Sequence, residues 1–462
     1  MHLGTISFSF IFLPAFLILY WLAPRGAKKP LLAVASMLFY AWGNWMQLPI
    51  LLLLGLISWG SAGIGNSSAP SYQEDPESSP GRLGPSGWTG IALNIAALAW
   101  FKYFKTPIGM PIGISFYVFH NISYIIDCRR NRRNGTFLDF FCYLLMFPKL
   151  DMGPITRWDQ LEPQLTQLSQ TEKRFFLPPK DAMEQGSLRF AIGFAKKAVL
   201  AGGLATLCGT LWEDAPNSML SAWFGAIAYA LQLYYDFSGY SDMAIGIGQL
   251  LGFELPQNFD HPYASCSVSE FWRRWHMSLG AWFRTYVYIP LGGNRKGERR
   301  TILNLMIVWT LTGIWHGDTL NFLVWGLGLG VAIVIERVTR FSERVPRPLG
   351  WLWCNFLVLM GWVLFNSENL GAALAYFGCL FHGTLLETTS TFSLALHDGW
   401  PVLLLAAVGA APTVSDTAQK IASGMEPKAR QAAEAVLLVL LMGVSVFYLV
   451  NSGYTAFIYF KF

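Results

Sequence analysis

The run Thr312-Gly313-Ile314-Trp315-His316-Gly317-Asp318 sets an ionisable side chain between two apolar stretches, Ile302 to Ile314 and Leu320 to Ile335. The stretches are 13 and 16 residues long, and crossing a ~30 Å hydrocarbon core takes about 20. At ~1.5 Å rise per residue, a helix entering near Ile302 places His316 roughly 20 Å deep. An imidazole at that depth is expensive, so it marks a functional site by default. The alternative is a structural histidine, hydrogen-bonded in a helix turn.

Composition supports the membrane setting. Hydrophobic residues make up 53% of the 462, charged residues only 13% and aromatics 15%, with 34 Phe and 19 Trp. Such a balance fits a polytopic protein with aromatic belts at both interfaces. The net charge of +5 gives no case for nucleic acid. Six scattered cysteines form no C-x-x-C and no metal-spaced cluster, so they read as packing residues. The first apolar run, Ile6 to Leu22, lacks a basic leader and a cleavage site, and is expected to remain as a membrane helix with its N-terminus outside.

Apolar runs near 6–22, 31–46, 48–64, 89–104, 111–127, 137–150, 188–211, 220–235, 238–253, 302–315, 320–336, 350–365, 370–382, 400–412 and 435–451 predict about 11–13 transmembrane helices plus re-entrant or interfacial ones. Placing Arg25, Lys28 and Lys29 inside also puts Arg129, Arg130, Arg132 and Arg133 inside by parity. The basic groups at 295–300 and 337–347 then flank the histidine pair of segments on one, cytoplasmic, side. Residues about 65–88 read as a flexible cytoplasmic loop, about 157–187 as a polar connection with short amphipathic helices, and 413–431 as another polar stretch. There is no internal repeat, so 1–462 reads as a single membrane domain with its motif core at 232–336.

That core begins with Gln232-Leu-Tyr-Tyr-Asp236-Phe-Ser238-Gly-Tyr240-Ser241-Asp242, two carboxylates in apolar surroundings that need partners. Phe271-Trp272-Arg273-Arg274-Trp275-His276 is the nearest basic reservoir, and it also reads as an interfacial amphipathic helix. Asp236 and Asp242 would orient a histidine or pair with Arg273 or Arg274. Asp318, two residues past His316, diverges from it on a helix and is expected at the extracellular mouth.

These runs, with Tyr288-Ile-Pro-Leu-Gly-Gly-Asn294-Arg295 and Trp315-His316-Gly317, resemble the membrane-bound O-acyltransferases. Within that superfamily they look most like the alginate O-acetyltransferase branch. Phe39-Tyr-Ala-Trp-Gly43, Pro111-Ile-Gly-Ile-Ser-Phe116, Gly153-Pro-Ile155 and Phe457-Ile-Tyr-Phe460 extend the likeness in order along essentially the whole chain. Two stretches depart from the pattern. In Trp325-Gly-Leu-Gly-Leu329-Gly330, leucine stands where the family usually has a second histidine, and the N-terminal Met1-His-Leu-Gly-Thr-Ile is atypical.

The resemblance implies an all-α polytopic membrane protein, a ring of tilted helices around a central tunnel. It implies an O-acetyltransferase of the bacterial cytoplasmic (inner) membrane that acetylates an exported polysaccharide. His316 would be the catalytic base and His276 its polar partner, with Trp315, Asp236, Asp242, Trp272, Arg273 and Asn294 lining the tunnel. Acyl transfer from a thioester to a sugar hydroxyl needs a base for the attacking hydroxyl, which a neutral imidazole of pKa near 6.5 supplies. Oxyanion donors would come from the Trp315 indole, backbone near Gly317, or His276. No cofactor is expected to stay bound. The donor would be cytoplasmic acetyl-CoA, its phosphates cradled by Arg295, Lys296 and Arg299, although those charges also satisfy topology alone. Periplasmic acetyl-handling or polysaccharide-modifying proteins are the implied partners. Competing readings are D-alanyl transfer to teichoic acid from a carrier protein, a proton-coupled transporter and a non-catalytic export scaffold.

Overall fold

The computed structural model describes residues 2–63, 83–104, 106–131, 135–170, 177–382, 388–453 and 457. Most of the expected 65–88 loop, Arg132, Arg133 and the last motif beyond Phe457 lie outside them. The described residues are helical throughout, joined by turns and a single isolated bridge between Phe259 and Trp275. Helices close their own backbone hydrogen bonds, which is what a chain this apolar requires in lipid. Five helical stretches are long and apolar enough to cross a membrane: Lys180–Asn217, Leu320–Thr339, Arg347–Asn366, Ser390–Gly409 and Pro427–Ser452. Shorter apolar helices run over Phe8–Leu22, Leu48–Ser61 and Leu370–Phe381. The chain is a multi-pass, all-α membrane protein.

Two compact units emerge. The first holds Met1–Ser187 and Ala244–Pro256, the second Leu188–Met243 and Gln257–Phe462. In the first unit, polar side chains join helices across apolar faces. Asn94 Nδ2 donates to Ser58 Oγ at 2.9 Å, and Asn121 Nδ2 donates to Asn94 Oδ1 at 2.9 Å. Such bonds hold helices where hydrophobicity gives no preference between lipid and protein. Thr136 and Asp139 form a reciprocal capping box that starts Phe137–Leu145, and Asp139 also pairs with the buried Lys29. The expected 137–150 span breaks at Met146 into Phe137–Leu145 and Phe147–Leu150, too short to cross.

The second unit carries the motif core apart from 244–256. The runs read as 220–235 and 238–253 form one 33-residue helix, Met219–Leu251, whose boundary between units falls at 243/244. Asp236 does not interrupt it, because Lys197 pairs with the carboxylate within the buried interior. The Leu320–Thr339 helix extends four residues past the apolar run, through Glu336 and Arg337. It is therefore long enough to cross by itself, and hairpin length alone does not hold His316 at mid-depth.

Glu336 stays buried because it caps a neighbour. Its carboxyl accepts from Val268 N at 2.7 Å, Ser269 N at 2.9 Å and Ser269 Oγ at 2.8 Å, the first donors of Val268–Arg274. This clamp fixes the Phe-Trp-Arg-Arg helix to Leu320–Thr339. Glu336→Ala strands the N–H of buried Val268 and that of half-buried Ser269 and is expected to lower stability by roughly 2 kcal/mol, read as a lower unfolding temperature in detergent.

Candidate functional site

His316 is the last residue of the Glu298–His316 helix, followed by extended Gly317 and the start of Leu320–Thr339. The two helices meet on small residues. A Cβ at Gly326 would fall 2.5 Å from Trp309 O and 3.0 Å from Gly313 Cα, so only glycine permits this approach. Close packing of the backbones fixes the direction in which the helix end presents its imidazole.

Aromatic rings enclose His316, which is 5% exposed. Its ring centroid lies 4.7 Å from that of Trp315, 5.0 Å from Trp325 and 5.2 Å from Phe365, all edge-on. Trp272 extends this wall, with centroids 5.0 Å from Trp309 and 5.5 Å from Trp325. The indole N–H groups of Trp272 and Trp325 are buried without a hydrogen-bond partner. His276 approaches from another element: its ring lies 6.3 Å from Trp315 and 4.6 Å from Phe237. Both imidazoles thus flank the indole of Trp315.

His276 sits between Val268–Arg274 and Met277–Phe283 with φ +46°, a left-handed conformation rare outside glycine. Burial pushes its imidazole down to about 3. The unfolded chain therefore takes up the proton first, near 6.5. The stability from keeping His276 neutral is present above that pH and is lost as pH falls from there toward 3.

The other expected site residues fall elsewhere. Asp236 pairs with Lys197; Asp242 bonds Arg189 Nε at 3.1 Å and Lys196 Nζ at 2.7 Å. The expected partnership with Arg273 and Arg274 does not form: Arg274 binds Asp260 at 3.2 Å and Glu270 at 3.1 Å, and Arg273 faces outward. The reason is geometric. Gly193 and Gly239 let the backbone around the lysines lie directly against Met219–Leu251, which brings Lys196 and Lys197 to the carboxylates. Asn294, Arg295, Lys296 and Arg299 are exposed at the far end of the Glu298–His316 helix, ~27 Å from His316 at ~1.5 Å rise per residue. Gly292 (φ +110°) and Gly293 (φ +55°) shape the turn there, and Asn304 Nδ2 pins it through Gly293 O at 2.9 Å. Asp318 is exposed just past His316. Leu329 is buried beside Gly361 and Trp325, a packing position.

Among the residues that motif reading missed are Phe365, which walls His316, and Asn258, whose Oδ1 meets His276 Nδ1 at 3.1 Å. Asn258 gives no periodic or spacing signal, since its partner lies 18 residues on. Among the described residues no group of His, Cys, Asp and Glu is arranged to hold a metal.

The sequence profile of MBOAT, the membrane-bound O-acyltransferase family, matches residues 80–372, a stretch that contains both imidazoles. The chain belongs to the membrane-bound O-acyltransferase family. This O-acyltransferase is 37% identical over 406 residues to the probable alginate O-acetylase AlgI of Pseudomonas putida, covering 81% of this chain and 79% of that one. It is 31% identical over 426 residues to the peptidoglycan O-acetyltransferase of Helicobacter pylori, covering 80% and 78%. With the teichoic acid D-alanyltransferase of Bacillus subtilis it shares 26% identity over 263 residues, covering 54% and 65%.

Proposed function

We propose that this O-acyltransferase moves an acetyl group from cytoplasmic acetyl-CoA to a hydroxyl of an exported polysaccharide, alginate or a similar cell-surface glycan, in the bacterial inner membrane. The observation that carries the reading is the buried His316, walled by Trp315, Trp325 and Phe365, with a second imidazole across the same indole. A wall of aromatic rings disfavours the water that would hydrolyse a thioester. His316 takes the proton of the acceptor hydroxyl as its oxygen attacks the thioester carbonyl. The tetrahedral oxyanion is met by buried donors, for which the Trp272 and Trp325 indoles stand in the wall. The carbon–sulfur bond then breaks, and the imidazolium returns its proton to the departing thiolate. The names of the Pseudomonas and Helicobacter relatives support acetyl as the cargo. The lower identity and coverage toward the D-alanyl enzyme favour this reading over carrier-dependent D-alanylation.

The basic turn at 294–299 and the imidazole stand at opposite ends of one 19-residue helix. A donor held by its phosphates at the turn must therefore be long and narrow, as an acyl thioester on a pantetheine arm is. Periplasmic proteins that pass the acetyl group onward fit the same scheme. The protein in lipid vesicles, given labelled acetyl-CoA and de-O-acetylated alginate oligosaccharide, tests the donor. Replacing Arg295, Lys296 and Arg299 together by Ala is expected to raise the donor KM about tenfold, since exposed charge contacts contribute under ~1 kcal/mol each, and to leave kcat unchanged. An unchanged KM removes the turn from donor binding, and strict dependence on an acyl carrier protein favours the D-alanyl reading.

A further inference from the structure

We propose that Asn258 is a positioning residue that locks His276 as its Nδ1–H tautomer, so that the Nε2 lone pair is presented to the site as a proton acceptor. The inference deepens the reading above and rests on it.

The oxygen assignment of the Asn258 amide follows from the backbone. Ser278 N–H points at it from 3.2 Å, and a backbone N–H can only donate, so the amide atom there is Oδ1. Ser278 Oγ also donates to Oδ1, at 2.9 Å, while Asn258 Nδ2 donates to Ser241 Oγ at 3.0 Å. His276 Nδ1 meets the same oxygen at 3.1 Å, so it must carry the hydrogen. The other ring nitrogen, Nε2, is then bare. It is buried without a hydrogen-bond partner, while the ring lies beside Phe237 and Trp315.

Asn258 itself is held from both sides. Its carbonyl accepts from Met277 N at 3.0 Å, Asp260 N donates to Arg274 O at 3.0 Å, and Phe259 bridges Trp275. These bonds lay 258–260 against 274–277 across the left-handed turn at His276, which settles the ring's orientation. A neutral imidazole in this tautomer cannot donate from Nε2. His276 is therefore excluded as an oxyanion donor and suited to hold the acceptor hydroxyl, or its proton, beside His316.

Charge around His276 is already balanced. On Met219–Leu251, Asp236 pairs with Lys197, and Asp242 with Arg189 and Lys196. Asp260 and Glu270 pair with Arg274, and Arg273 and Arg284 are exposed. From the Glu298–His316 helix, His316 lies against the same Trp315 indole, while Glu298, Arg299 and Arg300 stand at that helix's far end. A charge placed at 258 would thus act on His276 directly.

The test compares Asn258→Ala, Asn258→Asp, His276→Asn and His316→Ala in the vesicle assay with acetyl-CoA and de-O-acetylated alginate oligosaccharide. Asn258→Ala is expected to lower kcat at least tenfold with the donor KM unchanged. Asn258→Asp keeps the accepting oxygen and the fold, yet its carboxylate favours the imidazolium and so occupies Nε2 with a proton. Its acid limb is expected to move up by at least one pH unit, with activity returning on the alkaline side. A purely structural Asn258 would leave the profile in place, and a profile superimposable on wild type overturns the proposal even if Asn258→Ala fails to fold. His276→Asn, whose side chain tolerates the left-handed backbone, retaining full activity also overturns it. His316→Ala retaining activity sinks the parent reading instead.

Discussion

His316→Ala is expected to lower acyl transfer at least about 10³-fold, the range lost with a general base, with insertion and folding intact. The loss follows from chemistry rather than packing. Alanine removes the one imidazole that sits at the helix end facing Trp325 and Phe365, and a hydroxyl near neutral pH is a weak nucleophile without a base. His316→Gln keeps a polar side chain of similar reach and is expected to be equally inactive, which separates proton transfer from shape. Product formation measured per folded protein, with size-exclusion behaviour and unfolding temperature as controls, reads the effect. A transporter or scaffold would leave acetyl transfer untouched by either change.

The second large effect concerns Asp236 and Lys197, both buried and paired in the second unit. Removing one charge strands the other in the interior. Asp236→Leu or Lys197→Met alone is expected to cost about 3–5 kcal/mol, seen as a lower unfolding temperature and poor yield. The double exchange Asp236→Leu with Lys197→Met removes both charges and is expected to recover most of that stability, since an apolar pair of similar volume is often neutral or better. It is also expected to retain most of the acyl transfer per folded protein, because the Asp236–Lys197 pair braces helices. A stable, inactive double variant would return Asp236 to the catalytic machinery.

The Asp236 result shows what sequence reasoning reaches and where it stops. Two carboxylates in an apolar run demanded cations, and the demand was legible. Which cations answer is not, because Arg273 and Lys197 stand at nearly equal separations from Asp236 along the chain. The pairing lysines stand about 40 residues earlier, and Lys196-Lys197 within the apolar 188–211 run was itself the overlooked signal. The same pairing explains why 219–251 is one helix: a neutralised carboxylate need not break a span. Glu336 likewise ended the expected segment at its charge, whereas the charge caps a neighbouring helix and the segment continues. His316, Trp315 and His276 were legible from their motif because each is singular in its surroundings. Asn258 was not, because its importance lies in a long-range hydrogen bond that no local pattern encodes.

A structure of the protein bound to a non-transferable thioether analogue of acetyl-CoA tests the central claim most directly. The account predicts the analogue's acyl carbon against His316 and Trp315, within reach of an oxygen hydrogen-bonded to the imidazole, and its phosphates at the 294–299 turn. An acyl group seated away from His316, with that imidazole sealed among its aromatic neighbours, would contradict it.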